Sequence, residues 1–258
     1  MNTPTTSTQP RSRWQIVTVV AIGLAIVWNY LTNSFPPTGV SVAKLSNTVF
    51  ANVKIIPANY TFAIWGLIYI GLVAFAFYQL DYRRADNPQL QQTRPWIVLA
   101  SLLQSAWILL FVYQQMVLSS LVMLGIVWAL IKCYRSLHSA QKNIRQLHPA
   151  WVPRVFSVYL GWISVATIVN IASTLDSFGW QGTPLTPTVW TLLMMAVSGG
   201  LALLLLHIYA DRAFASVVIW AIGGITIANL ATPTIVLGGL LEIAIMTISI
   251  FADDRQTN

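Results

Sequence analysis

The chain has 258 residues, 56% of them hydrophobic and only 8% charged, against roughly 25% charged in soluble domains. Its seven acidic side chains, of which Glu242 is the only glutamate, cannot clothe a soluble protein of this size. A soluble globular domain is excluded by composition. An outer-membrane barrel is excluded by the lack of period-two alternation over short segments.

Met1 to Arg13 is rich in Thr, Ser and Pro and reads as a disordered tail. Apolar runs of about 17 to 24 residues then recur, each long enough for a hydrocarbon core roughly 30 Å thick. They predict eight spans, at 14–32, 60–80, 95–113, 116–134, 152–174, 187–209, 213–231 and 233–251. The fold class expected is all-α, a polytopic membrane helical bundle. The first run is long and lacks a small-residue cleavage site, so it reads as a retained anchor. The loop from Asn33 to Ala58 carries Pro36–Pro37 and has the length of a functional lid. "HSAQKNIRQLHPAWVPR" (138–154) reads as a partly amphipathic surface connection near the headgroups. A Gly/Pro-rich linker at 175–186 divides a five-helix part (14–174) from a three-helix extension (187–251), and 252–258 forms a tail.

The basic residues set an orientation. Twelve of the 14 fall before the first span or in alternate loops, leaving only Lys44 and Lys54 on the opposite side. The positive-inside rule then places both termini in the cytoplasm of an inner or plasma membrane. The net charge of +7 reads as this signal and as affinity for anionic lipid. The basic residues form no stripe, so nucleic acid is not an expected partner. The partners expected are membrane lipid and a large apolar small molecule, with a homodimer left open.

Three spans carry stripes of aromatic and polar side chains. In the second, helical spacing brings Thr61, Trp65, Tyr69, Leu72, Ala76 and Gln79 within roughly an 80° arc. Gln104, Trp107 and Phe111 share a face of the third, and Tyr159, Trp162, Ala166, Asn170 and Ser173 a face of the fifth. Ser164 and Thr167 turn off that stripe and suit helix–helix or backbone bonds. Polar groups at membrane depth face the bundle interior. The stripes therefore fit either interhelical hydrogen bonding or a pocket for a large apolar ligand.

At these residues the chain resembles the tryptophan-rich sensory protein or translocator protein (TspO/MBR) family. "YTFAIWGLIY" (60–69), "QSAWILLF" (104–111) and "YLGWISVATIVN" (159–170) are similar to its second-, third- and fifth-helix motifs, in the family's order. The resemblance covers about 57–174. It implies a five-helix fold whose pocket takes porphyrins, haem or sterols, with roles in sensing, transport or light-dependent tetrapyrrole breakdown. Carried over, Trp65, Tyr69, Gln104, Trp107, Tyr159, Trp162 and Asn170 would line or brace that pocket. Gln104 stands where the family usually has Asn. Thr174 stands where bacterial members often carry a Trp implicated in the photochemistry.

Elsewhere, Glu242 lies in the middle of the last span and is a candidate proton site. His207 is the only membrane-level histidine and sits toward a helix end, so bis-histidine haem ligation is not expected, His138 and His148 being assigned to a loop. Cys133 is the only cysteine, which excludes intrachain disulfides and thiolate metal clusters. No catalytic or metal-ligating set is visible. Glycine pairs at 199–200, 223–224 and 238–239 point to close helix packing in the last three spans. The leading expectation is a non-enzymatic binding or sensory protein for a tetrapyrrole or sterol-like ligand, one that it could also translocate. The alternatives are a proton-coupled secondary transporter using Glu242 and an assembly subunit of a membrane complex.

Overall fold

The computed structural model describes residues 12–138 and 148–257, with side chains described up to Ala252. The disordered reading of residues 1–11, most of the 138–154 connection and the side chain of Arg255 lie outside the described residues and side chains. Among the described residues there is no strand. The helices are α1 (Arg13–Ser34), α2 (Val42–Thr48), α3 (Ile64–Gln79), α4 (Pro88–Val112), α5 (Met116–His138), α6 (Trp151–Ser177), α7 (Pro187–Tyr209), α8 (Arg212–Ala228) and α9 (Pro233–Thr257).

Among the described residues, seven segments are long and apolar enough to cross a membrane: α1, Asn59–Gln79, α4, α5, α6, α7 and Pro233–Ala252 of α9. The chain is a polytopic membrane helical bundle. The remaining expected span is α8, whose 17 residues reach about 25 Å. It stops three residues short of the predicted 231. Asn229 turns the chain there: its backbone N–H meets Thr226 O at 3.1 Å and its Nδ2 meets Ile225 O at 2.8 Å. Pro233 then opens α9.

Helix starts follow side-chain caps. The side chains of Asn87, Thr186 and Asp211 accept from Leu90 N, Val189 N and Phe214 N, meeting backbone donors that a helix leaves unpaired. Pro88 and Pro187 take the first helical position, where a missing N–H costs nothing.

One end of the bundle is closed by a polar network. Arg94 is fully buried, and its donors reach Gln79 Oε1 at 3.0 Å, Ala85 O at 2.9 Å and Arg84 O at 2.8 Å. Gln79 Nε2 donates to Gln15 O at 2.9 Å, and Gln15 Nε2 returns a bond to Gln79 O at 2.6 Å. These bonds tie the starts of α1 and α4 to the end of α3. Gln79, the last member of the predicted second-span stripe, is thereby part of a structural lock. His138 is the last residue of α5, not a loop residue, because its ring stacks on Tyr134 with centroids 3.9 Å apart.

At the opposite end the long α1–α3 connection descends along α8. Its hydrogen-bond partners step down that helix as the chain proceeds: Asn229 Nδ2 to Lys54 O at 2.7 Å, Ala58 N to Gly224 O at 3.0 Å, and Trp220 Nε1 to Thr61 O at 2.9 Å. The nine positions from Asn229 to Trp220 correspond to roughly 13 Å along the helix axis. The second span therefore opens as a 3-10 turn, Asn59–Ala63, and becomes α-helical only at Ile64, where a continuous helix from residue 60 was expected. A side chain at Gly224 would collide with Thr61 Oγ1 and press on Pro57 Cβ at 3.0 Å. Glycine there permits the close approach. Gly224→Leu should detach this segment, seen as faster limited proteolysis within 35–58 while α4–α6 stay protected; unchanged proteolysis would refute the anchoring.

Candidate functional site

The three predicted stripes meet. From α3, Trp65 and Tyr69 stack in tilted fashion with centroids 5.4 Å apart. From α6, Tyr159 presents an edge to Trp65 at 5.9 Å, and Trp162 an edge to Phe62 at 5.9 Å. From α4, Trp107 lies tilted against Phe111 at 5.3 Å. Offset and edge-on ring pairs of this kind are the favoured aromatic geometries.

Of these rings, Phe62, Trp65, Tyr69 and Trp107 wall a cleft of about 500 Å³ together with Ile108, whereas Gln104, Tyr159, Trp162 and Asn170 do not line it. A smaller cavity of about 40 Å³ adjoins it through the shared Val42, Phe62, Trp65 and Trp107 and reaches Trp162 and Asn170. A cleft of this size falls within the range of about 300–1,000 Å³ used by small-molecule sites. Two contributors escaped the sequence reading. Asn29, Tyr30 and Asn33 of α1 wall the large cleft, and Val42 and Ala43 of α2 cover it. The available signals were the Asn pair one helical turn apart, whose side chains bond at 3.0 Å, and Ser41, which caps α2.

The predicted site residues divide into two kinds. Asn170 is saturated: its Oδ1 accepts from Trp107 Nε1 at 3.0 Å, and its Nδ2 donates to Ser119 Oγ at 3.0 Å and Ser120 Oγ at 2.7 Å. Thr174 extends this brace, with its hydroxyl 2.8 Å from Ser120 Oγ and donating to Met116 O at 3.1 Å. The node joins α4, α5 and α6. Ser164 and Thr167 bond back to Leu160 O and Ile163 O within α6. Gln104 and Tyr69 differ. Gln104 is 3% exposed, sits one turn before Trp107 and Ile108, and neither atom of its amide has a partner. The Tyr69 hydroxyl, on the wall of the cleft, is also buried without a partner. Native structures leave few buried polar groups unpaired.

The remaining candidates lie elsewhere. His207 is exposed near the end of α7. Among the described residues no group of three or more His, Cys, Asp or Glu is placed to hold a metal ion. Glu242 belongs to the α7–α9 seam, against Gly199.

The sequence profile of a family described as TSPO-like protein matches residues 15–252. The chain belongs to the TSPO-like protein family. The match runs on through α7, α8 and α9, beyond the 57–174 region that carries the motif resemblance and into helices first read as lying outside it. It is in keeping with the anchoring of the α3 entrance by α8. No curated protein and no solved structure matches the chain. Family and apolar helices together make this an integral membrane protein of a sensory or binding kind.

Breaking the brace has a defined cost. Asn170→Ala leaves Trp107 Nε1 without its acceptor and should destabilise the bundle by about 1 kcal/mol, the upper part of the range for interhelical bonds in membranes. Thermal unfolding in detergent checks this, and an unchanged midpoint would contradict the bracing role.

Proposed function

We propose that this TSPO-like protein binds a large, flat, mostly apolar ligand with at least one polar group, a tetrapyrrole first and a sterol second, in the cleft between α1, α3 and α4 beneath α2. The observation that carries the reading is an aromatic-walled cleft with the unpartnered Tyr69 hydroxyl on its wall; the unpartnered amide of Gln104 is not on that wall but lies one turn before the wall residues Trp107 and Ile108 on α4. Flat rings offer stacking area, and the unpaired hydroxyl and amide select for a ligand with a complementary polar edge. A site built to hydrogen-bond its guest rejects analogues that lack the group, because its own polar atoms would then stay unpaired. Both termini face the cytoplasm in this reading, as the basic residues indicate, so α2 and the cleft mouth face outward.

Gln104 should act oppositely on stability and on binding. Leucine at 104 removes two buried groups that lack partners in the free protein, so Gln104→Leu should raise the unfolding midpoint of the ligand-free protein. The same change should weaken protoporphyrin binding by about tenfold, corresponding to loss of one or two good hydrogen bonds. Titration of the purified protein with protoporphyrin, followed by tryptophan quenching and the Soret band, gives the affinity. Absence of saturable binding, or unchanged affinity in both Gln104→Leu and Trp65→Ala, would overturn the reading.

A further inference from the structure

A second site lies apart from the cleft and does not depend on what the cleft binds. Glu242 is the tenth residue of the 20-residue membrane segment Pro233–Ala252, so its carboxyl stands at mid-depth. It is half-buried in the seam between α7 and α9, with exposed Leu241 and Ile245 beside it. On the α7 side the carboxyl rests directly on Gly199; a methyl group at 199 would overlap it. One carboxyl oxygen, Oε1, is shielded and has no hydrogen-bond partner.

Among the described residues, no cation faces this group. The only ionisable side chain of α7 besides Tyr209 is His207, eight positions and roughly 12 Å along the helix from Gly199. On α8 the charged residue is Arg212, at the start of that helix, whereas the part packed on α9 carries Thr226. From Pro233 to Ala252, α9 has no other charged residue. The nearby hydroxyls are engaged with their own helices: Ser198 Oγ donates to Met194 O and Thr226 Oγ1 to Ile222 O, at 2.9 and 2.8 Å. A metal ion needs a ring of oxygens; one carboxyl over a glycine supplies none. A bare carboxylate at this depth would lack a counter-ion and most of the hydration it has in bulk water.

We propose that Glu242 is a proton-binding site at mid-membrane, neutral at rest, whose proton exchanges with water along the α7–α9 seam. The step is COO⁻ + H⁺ ⇌ COOH, with the proton held on the carboxyl. Gly199 matters because it alone leaves room for the group within the seam. Loss of the proton places an uncompensated charge between α7 and α9, so proton occupancy is tied to how tightly α9 packs.

Infrared spectroscopy of the full chain in liposomes reads the proton directly. The wild type minus Glu242→Gln difference should contain a protonated-carboxyl C=O band that shifts on transfer to D₂O and fades as pH is raised from about 5 to about 10. Gly199→Ala should move the pH at which it fades, since the methyl displaces the carboxyl. Because Glu242 is the only glutamate, wild type carrying ¹³C-labelled glutamate isolates the same band without a variant, so the reading survives poor folding of either one. A band that persists unshifted in D₂O marks a proton sealed in packing and overturns the proposal. Absence of any such band overturns it too, as does a Gly199→Ala curve that superimposes on the wild type.

Discussion

Every backbone N–H and C=O at membrane depth needs a partner within the protein, since lipid offers none. This constraint is easily met by the continuous helices and hard to meet at Lys54–Phe62, where the chain enters the bundle before becoming α-helical. The solution is α8. Its Asn229 and Trp220 side chains and the Gly224 carbonyl receive the descending segment step by step. Without that helix the entrance to α3 would present unpaired peptide groups to hydrocarbon, and α2 would have no fixed base. α8 thus holds the entrance to α3 through one backbone and two side-chain hydrogen bonds.

The same constraint sorts the polar side chains of the core. Asn170 can form three hydrogen bonds with side chains of α4 and α5 and does so, which makes it a fastener between helices. Arg94 plays a similar part at the other end, using only neutral acceptors. Besides Gln89, Tyr134, His148, Ser173 and Asp211, three residues with unused buried hydrogen-bonding capacity are Gln104, Tyr69 and Glu242. Two of them belong to the aromatic cleft region and one to the α7–α9 seam.

Thr174 bears on the chemistry. Where related bacterial chains are expected to carry an indole, this chain has a hydroxyl bonded to Ser120 and Met116. The position is packed into the α5–α6 contact, so here it tightens the bundle beneath the small cavity.

Hydropathy and helical period, read from the sequence alone, determined the class of fold, the place of most long spans to within about four residues (α4 starts at Pro88 where 95 was expected), and the faces on which Trp65, Trp107, Tyr159, Trp162 and Asn170 point inward. Those properties depend on composition and on 3.6 residues per turn, which are local. The motifs at 60–69, 104–111 and 159–170 also sufficed to indicate the family that the match over 15–252 establishes. Tertiary structure alone decided which inward-facing groups have partners. Period assigns a residue to a face without saying what stands opposite, so Asn170 and Gln104 looked alike until their neighbours were in place. It likewise decided the 3-10 entrance at Asn59–Ala63, the walls contributed by α1 and α2, and the seat of Glu242 on Gly199. Each of these rests on contacts between residues far apart in the chain, and no local pattern encodes them.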